Sequence, residues 1–364
     1  MPLPPRGIAD YTGGMALTFT SLQDFYAHGF DTVIDVRSPA EHAEDHVPGA
    51  INLPVLNNEE RARVGTIYVQ DSPFKARKLG AALVFRNAAD HIERSLSHHE
   101  GGWKPLVYCW RGGQRSGSFT WMLQQIGWRA EVVAGGYQCY RRLVHQAMYE
   151  TELPHRLVLL DGYTGSAKTE ILKRAGALGS QVLDLEGLAN HRGSLLGERS
   201  TPQPSQKAFE SAVAGALMQL DPKRPVLVEA ESNKIGQRIL PPTLWEAMKK
   251  SPRVEIHAPV EARSSYLVRA YDDILSDADR LREKLAPLRA HRSGAVVDGW
   301  FKCISAGDRA GLTQALMVEH YDPAYRKSRA AIGAKVLARF DTDRLDDTGL
   351  DETARKVAEL LAAQ

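Results

Sequence analysis

The run Val107-Tyr108-Cys109-Trp110-Arg111-Gly112-Gly113-Gln114-Arg115-Ser116 decides how the first half of this 364-residue chain is read. Leu106, Val107 and Tyr108 are strand formers that deliver a cysteine. Gly112 and Gly113 let the backbone curl, and Ser116 is placed to cap a helix reaching about Ile126. Amides of such a loop and the positive end of the helix face the sulfur, and Arg111 and Arg115 add charge, so thiolate is favoured over thiol. The same cradle suits a tetrahedral oxyanion beside Cys109. The plain alternative is a core cysteine after a strand; two arginines and two glycines in the next six residues favour the reactive one.

Upstream, Thr32 to Arg37 is a short β-branched run ending in charge. Ser38-Pro39-Ala40-Glu41 starts a helix, and His46 to Pro54 is a turn into a brief strand. A helical region from about Asn58 to His98 precedes the cysteine strand. Downstream, Ala130 to Ala134 is a further strand before the Gly135-Gly136 turn, and strands alternating with helices predict a parallel sheet. Asp35-Val36-Arg37-Ser38 with Glu41, His46 to Asn52, Cys109 to Arg115, and Val133 to Tyr137 together resemble the successive signatures of a rhodanese domain. On that resemblance Asp35 and Arg37 hold the Cys109 loop in shape. Cys-x5-Arg-Ser is also the phosphate cradle of cysteine-dependent phosphatases, but these usually carry His before the Cys, where this chain has Tyr108. The stretch Asn57 to Tyr68 exceeds a minimal rhodanese and reads equally as an interface or as a helical lid.

A helix over Tyr140 to Glu150 is stopped by Pro154, which predicts domains over 1–152 and 153–364. His155 to Asp161 is a buried strand feeding Gly162-Tyr163-Thr164-Gly165-Ser166-Ala167-Lys168-Thr169 and a helix from Glu170 to Leu178. Strand, glycine turn and Lys-Thr at a helix start make a P-loop, whose amides and Lys168 grip a diphosphate or triphosphate, with Thr169 available to Mg²⁺. Ala167 stands where the pattern has glycine, which predicts a changed loop or ligand. Val182 to Glu186, including Asp184, and Val226 to Glu231, including Glu229, read as further strands ending in carboxylates. Each carboxylate either orients metal or water or is a solvated strand end. From about 259 to 333 the chain reads as helical. Arginines from Arg263 to Arg292 interleave there with Asp272, Asp273, Asp277 and Asp279, so an ion-paired surface is at least as good a reading as a nucleic-acid face. Trp and Tyr give no clear stacking platform.

A formal net charge of +2 does not by itself argue for nucleic acid, and any polyanion must meet a local basic face. Cys109, Cys139 and Cys303 show neither CxxC nor zinc spacing, which predicts a reducing cytosol. The start, Met1 to Asp10, has no apolar leader core, and no run approaches membrane length. The expectation is a cytoplasmic protein without a membrane partner.

Cys109 to Ser116, Asn190-His191-Arg192-Gly193-Ser194 and Glu231-Ser232-Asn233-Lys234-Ile235-Gly236 resemble the tRNA 2-selenouridine synthase family over essentially the whole chain, the Asn57 to Tyr68 stretch included. The resemblance implies an α/β protein: a rhodanese-like parallel-sheet domain, then a P-loop NTPase-like α/β domain with a helical C-terminal section. It implies action on 2-thiouridine at the wobble position of tRNA, S-geranylated from geranyl diphosphate and then selenated from selenophosphate. Arg192 then contacts diphosphate or tRNA backbone, and His191 is an acid/base group or, the better reading of a lone histidine, a structural one. Two alternatives stay open: a sulfurtransferase or phosphatase coupled to a nucleotide-binding domain, and a non-catalytic tRNA-binding protein.

Overall fold

The computed structural model describes residues 16–330 and 335–364. The start read for a leader and the end of the helical stretch near Gly333 lie outside the described residues. The chain forms two compact units, Met1–Glu150 with Glu210–Met218, and Thr151–Phe209 with Gln219–Gln364.

The first unit holds α1 (Leu22–Tyr26), β1 (Thr32–Asp35), α2 (Pro39–Glu44), β2 (Ile51–Asn52), α3 (Asn58–Gln70), α4 (Pro73–Arg94), β3 (Pro105–Tyr108), α5 (Gln114–Ile126), β4 (Glu131–Val132) and α6 (Gly136–His145). Its four strands are parallel in the order β2-β1-β3-β4, with Ile34 opposite Ile51 and Asp35 opposite Tyr108. β1 and β3 end side by side, so the Asp35–Arg37 segment and the Cys109 loop leave the same sheet edge. The region read as one helical stretch is two helices, because Asp71 and Ser72 turn the chain and Ser72 Oγ accepts the amides of Phe74 and Lys75. Ile34, Val36, Val107, Phe119 and Leu123 centre the core.

The second unit contains β5 (Arg156–Gly162), α7 (Lys168–Ala177), β6 (Gln181–Leu183), α8 (Leu185–Leu188), the start of α9 (Gln206–Met218), β7 (Pro225–Glu229), the hairpin β8 (Lys234–Ile235) and β9 (Arg238–Ile239), α10 (Pro242–Lys250) and β10 (Arg253–His257). Helices α11 (Val260–Ala270), α12 (Asp272–Leu275), α13 (Ala278–Leu285), α14 (Gly294–Ala306), α15 (Arg309–Leu316) and α16 (Asp322–Ala330) follow. β11 (Val336–Asp341) and α17 (Asp347–Ala362) end the chain. The parallel sheet runs β11-β10-β5-β7-β6. Its first strand is therefore central, and the loop after β5 opens where the connections diverge to the two sides, the place where ligands bind in such sheets.

One expectation is corrected, two strands are added and one choice between readings is narrowed. Glu186 is not on a strand: β6 stops at Leu183 and Asp184 caps α8, its Oδ1 accepting the Gly187 amide at 2.7 Å. β10 and β11 were not anticipated. The basic residues of the helical section are held in the protein: Arg263, Arg280, Arg282, Lys284 and Arg289 form ion pairs, and Arg269 and Arg292 donate to main-chain carbonyls. This favours the ion-paired surface over a nucleic-acid face there. No helix among the described residues is long and apolar enough to cross a membrane.

Candidate active sites

Cys109 sits at the end of β3, 3% exposed and packed in the core of the first unit. Ser116 does not cap α5; Gly113 holds that position. Lying inside the first turn, Ser116 points its hydroxyl back and donates to Cys109 Sγ at 3.2 Å. The loop is braced from behind by the start of α6. The amides of Tyr137 and Gln138 donate to the carbonyls of Cys109 and Trp110 at 2.8 and 3.1 Å. Gly136 has φ +55°, and a Cβ there would lie 2.3 Å from Cys109 O, so only glycine permits this approach. Gly112, itself at φ +67°, packs against the same turn. Among the described residues the N–H groups of Arg111, Gly112 and Gly113 donate to no protein acceptor. Three orphan donors at a helix start beside the sulfur have the pattern that suits an anion.

The two loop arginines part company. Arg111 is exposed, whereas Arg115 forms a two-pronged pair with Glu41, Nη1 to Oε2 at 2.9 Å, and Arg61 of α3 approaches the same carboxylate at 3.9 Å. Burial raises the Glu41 carboxyl, but Arg115, the Ser38 amide and Arg61 together outweigh it and leave the group below its ordinary range. Asp35 and Arg37 form a buried bidentate pair. Arg37 also donates to Asp45 O at 2.6 Å and lies 4.0 Å over the Tyr137 ring. They brace the loop's surroundings rather than reach the sulfur.

In the second unit the P-loop leaves β5 and turns into α7. Among the described residues the N–H groups of Thr164, Gly165, Ala167, Lys168 and Thr169 donate to no protein acceptor, the pattern of an anion nest. Lys168 Nζ reaches back to Gly162 O at 2.9 Å. Gly162 donates its amide to Asp161 Oδ1 at 2.8 Å, and Ser166 is buried with its amide on Tyr163 O. Ala167 sits at φ +58°, the left-handed conformation that favours glycine, and its buried methyl joins the core.

The loop heads a cavity of about 750 Å³ lined by Thr164, Gly165, Ala167, Lys168 and Thr169. Glu186, Glu231, Arg192 and Arg199 line the same cavity. Thr169 Oγ1 donates to Glu186 Oε2 at 2.6 Å. Burial raises Glu186, and burial together with the neighbouring Glu186 charge pushes Glu231 up to about 8. Of the residues expected here, Arg192 lines the cavity, 4.9 Å over the Tyr271 ring with its Nη2 on Asp273 at 3.0 Å. His191, Asp184 and Glu229 lie outside the lining. His191 Nδ1 accepts the Gly193 amide at 3.1 Å and is held below its ordinary range by burial, a structural histidine shaping the loop. Glu229 is fully buried, accepts the Leu185 amide at 3.0 Å, and is pushed up by burial.

Glu186, Glu231 and Arg199 were missed as site residues. The quoted Glu231-Ser232-Asn233 motif and the carboxylate just past β6 were the available signals. No group of three or more His, Cys, Asp or Glu suited to a metal occurs among the described residues.

Two family models match. One is described as the tRNA 2-selenouridine synthase AAA domain, over residues 155–295, and the other as a rhodanese-like domain, over 18–142. A tRNA 2-selenouridine synthase of Alcanivorax borkumensis is 32% identical, the match covering 80% of this chain and 88% of that one. The chain belongs to the tRNA 2-selenouridine synthase family. A synthase of Cronobacter sakazakii is 34% identical over 86% of this chain and 91% of its own, and one of Cupriavidus pinatubonensis is 30% identical over 89% and 95%. Family membership covers both units, so the cysteine loop and the P-loop belong to one enzyme framework.

Proposed function

We propose that the chain is a tRNA-modifying transferase that converts 2-thiouridine at the wobble position to 2-selenouridine, by S-geranylation and then selenation. The observation that carries this reading is the pair of loops whose amides have no protein acceptor among the described residues, one beside a thiol and one in a P-loop. A diphosphate leaving group needs fixed positive donors where its charge develops, and the P-loop amides with Lys168 supply them. In the first step the geranyl C–O bond breaks and a C–S bond forms. Diphosphate departs into the P-loop, and the N3 proton of the base passes to solvent water. The alkylated sulfur is a better leaving group than the original thiocarbonyl. In the second step the Cys109 cradle holds the phosphate of selenophosphate. Its P–Se bond breaks with water completing the phosphate, selenium bonds to C2 of the base, and geranylthiol leaves.

The donors around Thr169 are hard oxygens, a hydroxyl 2.6 Å from the buried Glu186 carboxyl, the ligand chemistry that suits Mg²⁺. Thr169 and Glu186 would hold the ion, and it would offset diphosphate charge. Its cytoplasmic placement follows from the tRNA substrate.

Nucleoside mass spectrometry on purified variants tests the assignment. Cys109→Ala should accumulate geranylated tRNA without selenium. Lys168→Ala should lose geranylation and geranyl diphosphate affinity yet selenate tRNA supplied already geranylated. Loss of geranylation with selenation spared in Cys109→Ala would reverse the roles. ATP hydrolysis without any response to geranyl diphosphate would favour the sulfurtransferase or phosphatase alternative.

A further inference from the structure

Helix α3 has no buried residue along its 13 positions. At the tip where it turns into α4, Tyr68 is 56% and Phe74 is 68% exposed. Phe74, Lys78, Ala81 and Phe85 follow at i, i+4, i+7 and i+11, which places them on one stripe of α4. That stripe continues onto α5, where Trp121, 52% exposed, meets the Phe85 ring edge-on with centroids 6.4 Å apart. Four large aromatics presented to solvent on neighbouring helices have no role in the core of this unit.

Charge selects the occupant. From Ser72 to Ala89 the sequence carries four cations, Lys75, Arg77, Lys78 and Arg86, and no carboxylate. Lys75 pairs with Asp71, whereas Arg77, Lys78 and Arg86 are exposed and form no ion pair among the described residues. The cations of the helical section of the second unit are mostly paired, so this concentration of uncompensated charge among exposed rings stands apart. Rings alternating with cations suit a polyanion that also offers flat faces, because bases stack on the aromatics while phosphates meet the cations. A second copy of the chain would bring the same cations against themselves.

We propose that the α4 stripe of Phe74, Lys78 and Phe85, extended by Trp121, docks the unpaired bases of an RNA loop. The inference rests on the tRNA reading above and deepens it, and it gives the insertion between β2 and β3 the role of an RNA-binding element. The sequence alone showed no stacking platform because its members come from two helices and read singly as surface residues.

The test uses the full chain and two RNA probes, a stem-loop with seven unpaired bases and a blunt duplex of equal length. Phe74→Ala/Phe85→Ala/Trp121→Ala should bind the stem-loop at least about tenfold more weakly and the duplex nearly unchanged. Lys78→Ala/Arg86→Ala should weaken both and flatten the salt dependence. Stem-loop RNA should quench tryptophan emission in the wild type and less in Trp121→Phe, which keeps the stacking ring. Unchanged thermal melting checks the fold of each variant, as all five side chains are exposed. Wild-type stem-loop affinity in the triple variant, or loss of self-association in its place, would overturn the surface. A wild-type chain that bound neither RNA would overturn the tRNA reading together with it.

Discussion

The hydroxyl of Ser116 donates to Cys109 Sγ at 3.2 Å, from the first turn of the helix that follows the loop curling around the sulfur. A hydroxyl so placed stabilises sulfur as an anion more than as a thiol. Ser116→Ala should therefore slow alkylation of Cys109 by iodoacetamide at neutral pH by about tenfold, with the fold retained. Equal rates in the two proteins would show that the helix start and loop amides suffice.

Ala167 and Gly165, two positions apart in the same phosphate loop, make opposite predictions. Left-handed backbone costs a non-glycine residue about 1–2 kcal/mol, which is comparable with or larger than the burial of one methyl, about 0.8 kcal/mol. Ala167→Gly should thus leave stability unchanged or raise it by up to about 1 kcal/mol in denaturant unfolding. At Gly165, φ is +85° and a Cβ would stand 2.9 Å from Leu267 Cδ1. Gly165→Ala should lose diphosphate binding and melt earlier.

Arg253 and Asp161 form a buried pair at 3.0 Å, and Asp161 also accepts from Gly162 N and Tyr325 Oη beside the P-loop. Arg253→Met leaves the carboxylate buried against lost charge, and destabilisation of about 3–5 kcal/mol is expected. The double change with Asp161→Asn should recover a large part of it, which thermal melting of the three variants would measure.

Asp45 carries the pH prediction. Burial raises its carboxyl above the ordinary 3.8, against hydrogen bonds donated by Tyr137 and Ser211. A carboxyl whose folded value exceeds its unfolded one binds its proton more tightly when folded. Stability is therefore lost as pH rises from the unfolded value through the folded one, and the cost is complete above that window. Asp45→Asn keeps an acceptor for both donors and removes the charge. It should stabilise the first unit at pH 7 and show no advantage below about pH 3.8, where both forms are neutral. An advantage that grew on acidification would contradict the assignment.

What could be read from sequence was what is local. The cysteine loop and the P-loop each place their donors within eight consecutive residues, so spacing alone reveals them. β10 was invisible because Arg253-Val254-Glu255-Ile256-His257 alternates charged and apolar residues although four of the five are buried. Its charges are neutralised by Asp161 and Arg339, 92 and 84 positions away, and no window on the sequence contains them. Glu186 and Glu231 faced the same obstacle: they meet through a fold that brings the ends of β6 and β7 together. Ser116 was found for the wrong reason, as a cap, since its sequence position does not reveal which way its hydroxyl turns.

The first unit takes Glu210–Met218 from far along the chain, with Ser211 on Asp45 and Gly215 against Tyr26. On a ribosome emitting about 5–20 residues per second, those nine residues appear only after the P-loop and β6 have been made. The nascent first unit must wait with Asp45 partly unserved while the second unit begins to form. The two units therefore mature in interleaved order, and severing the chain after Glu150 would remove a piece that the earlier-born unit requires.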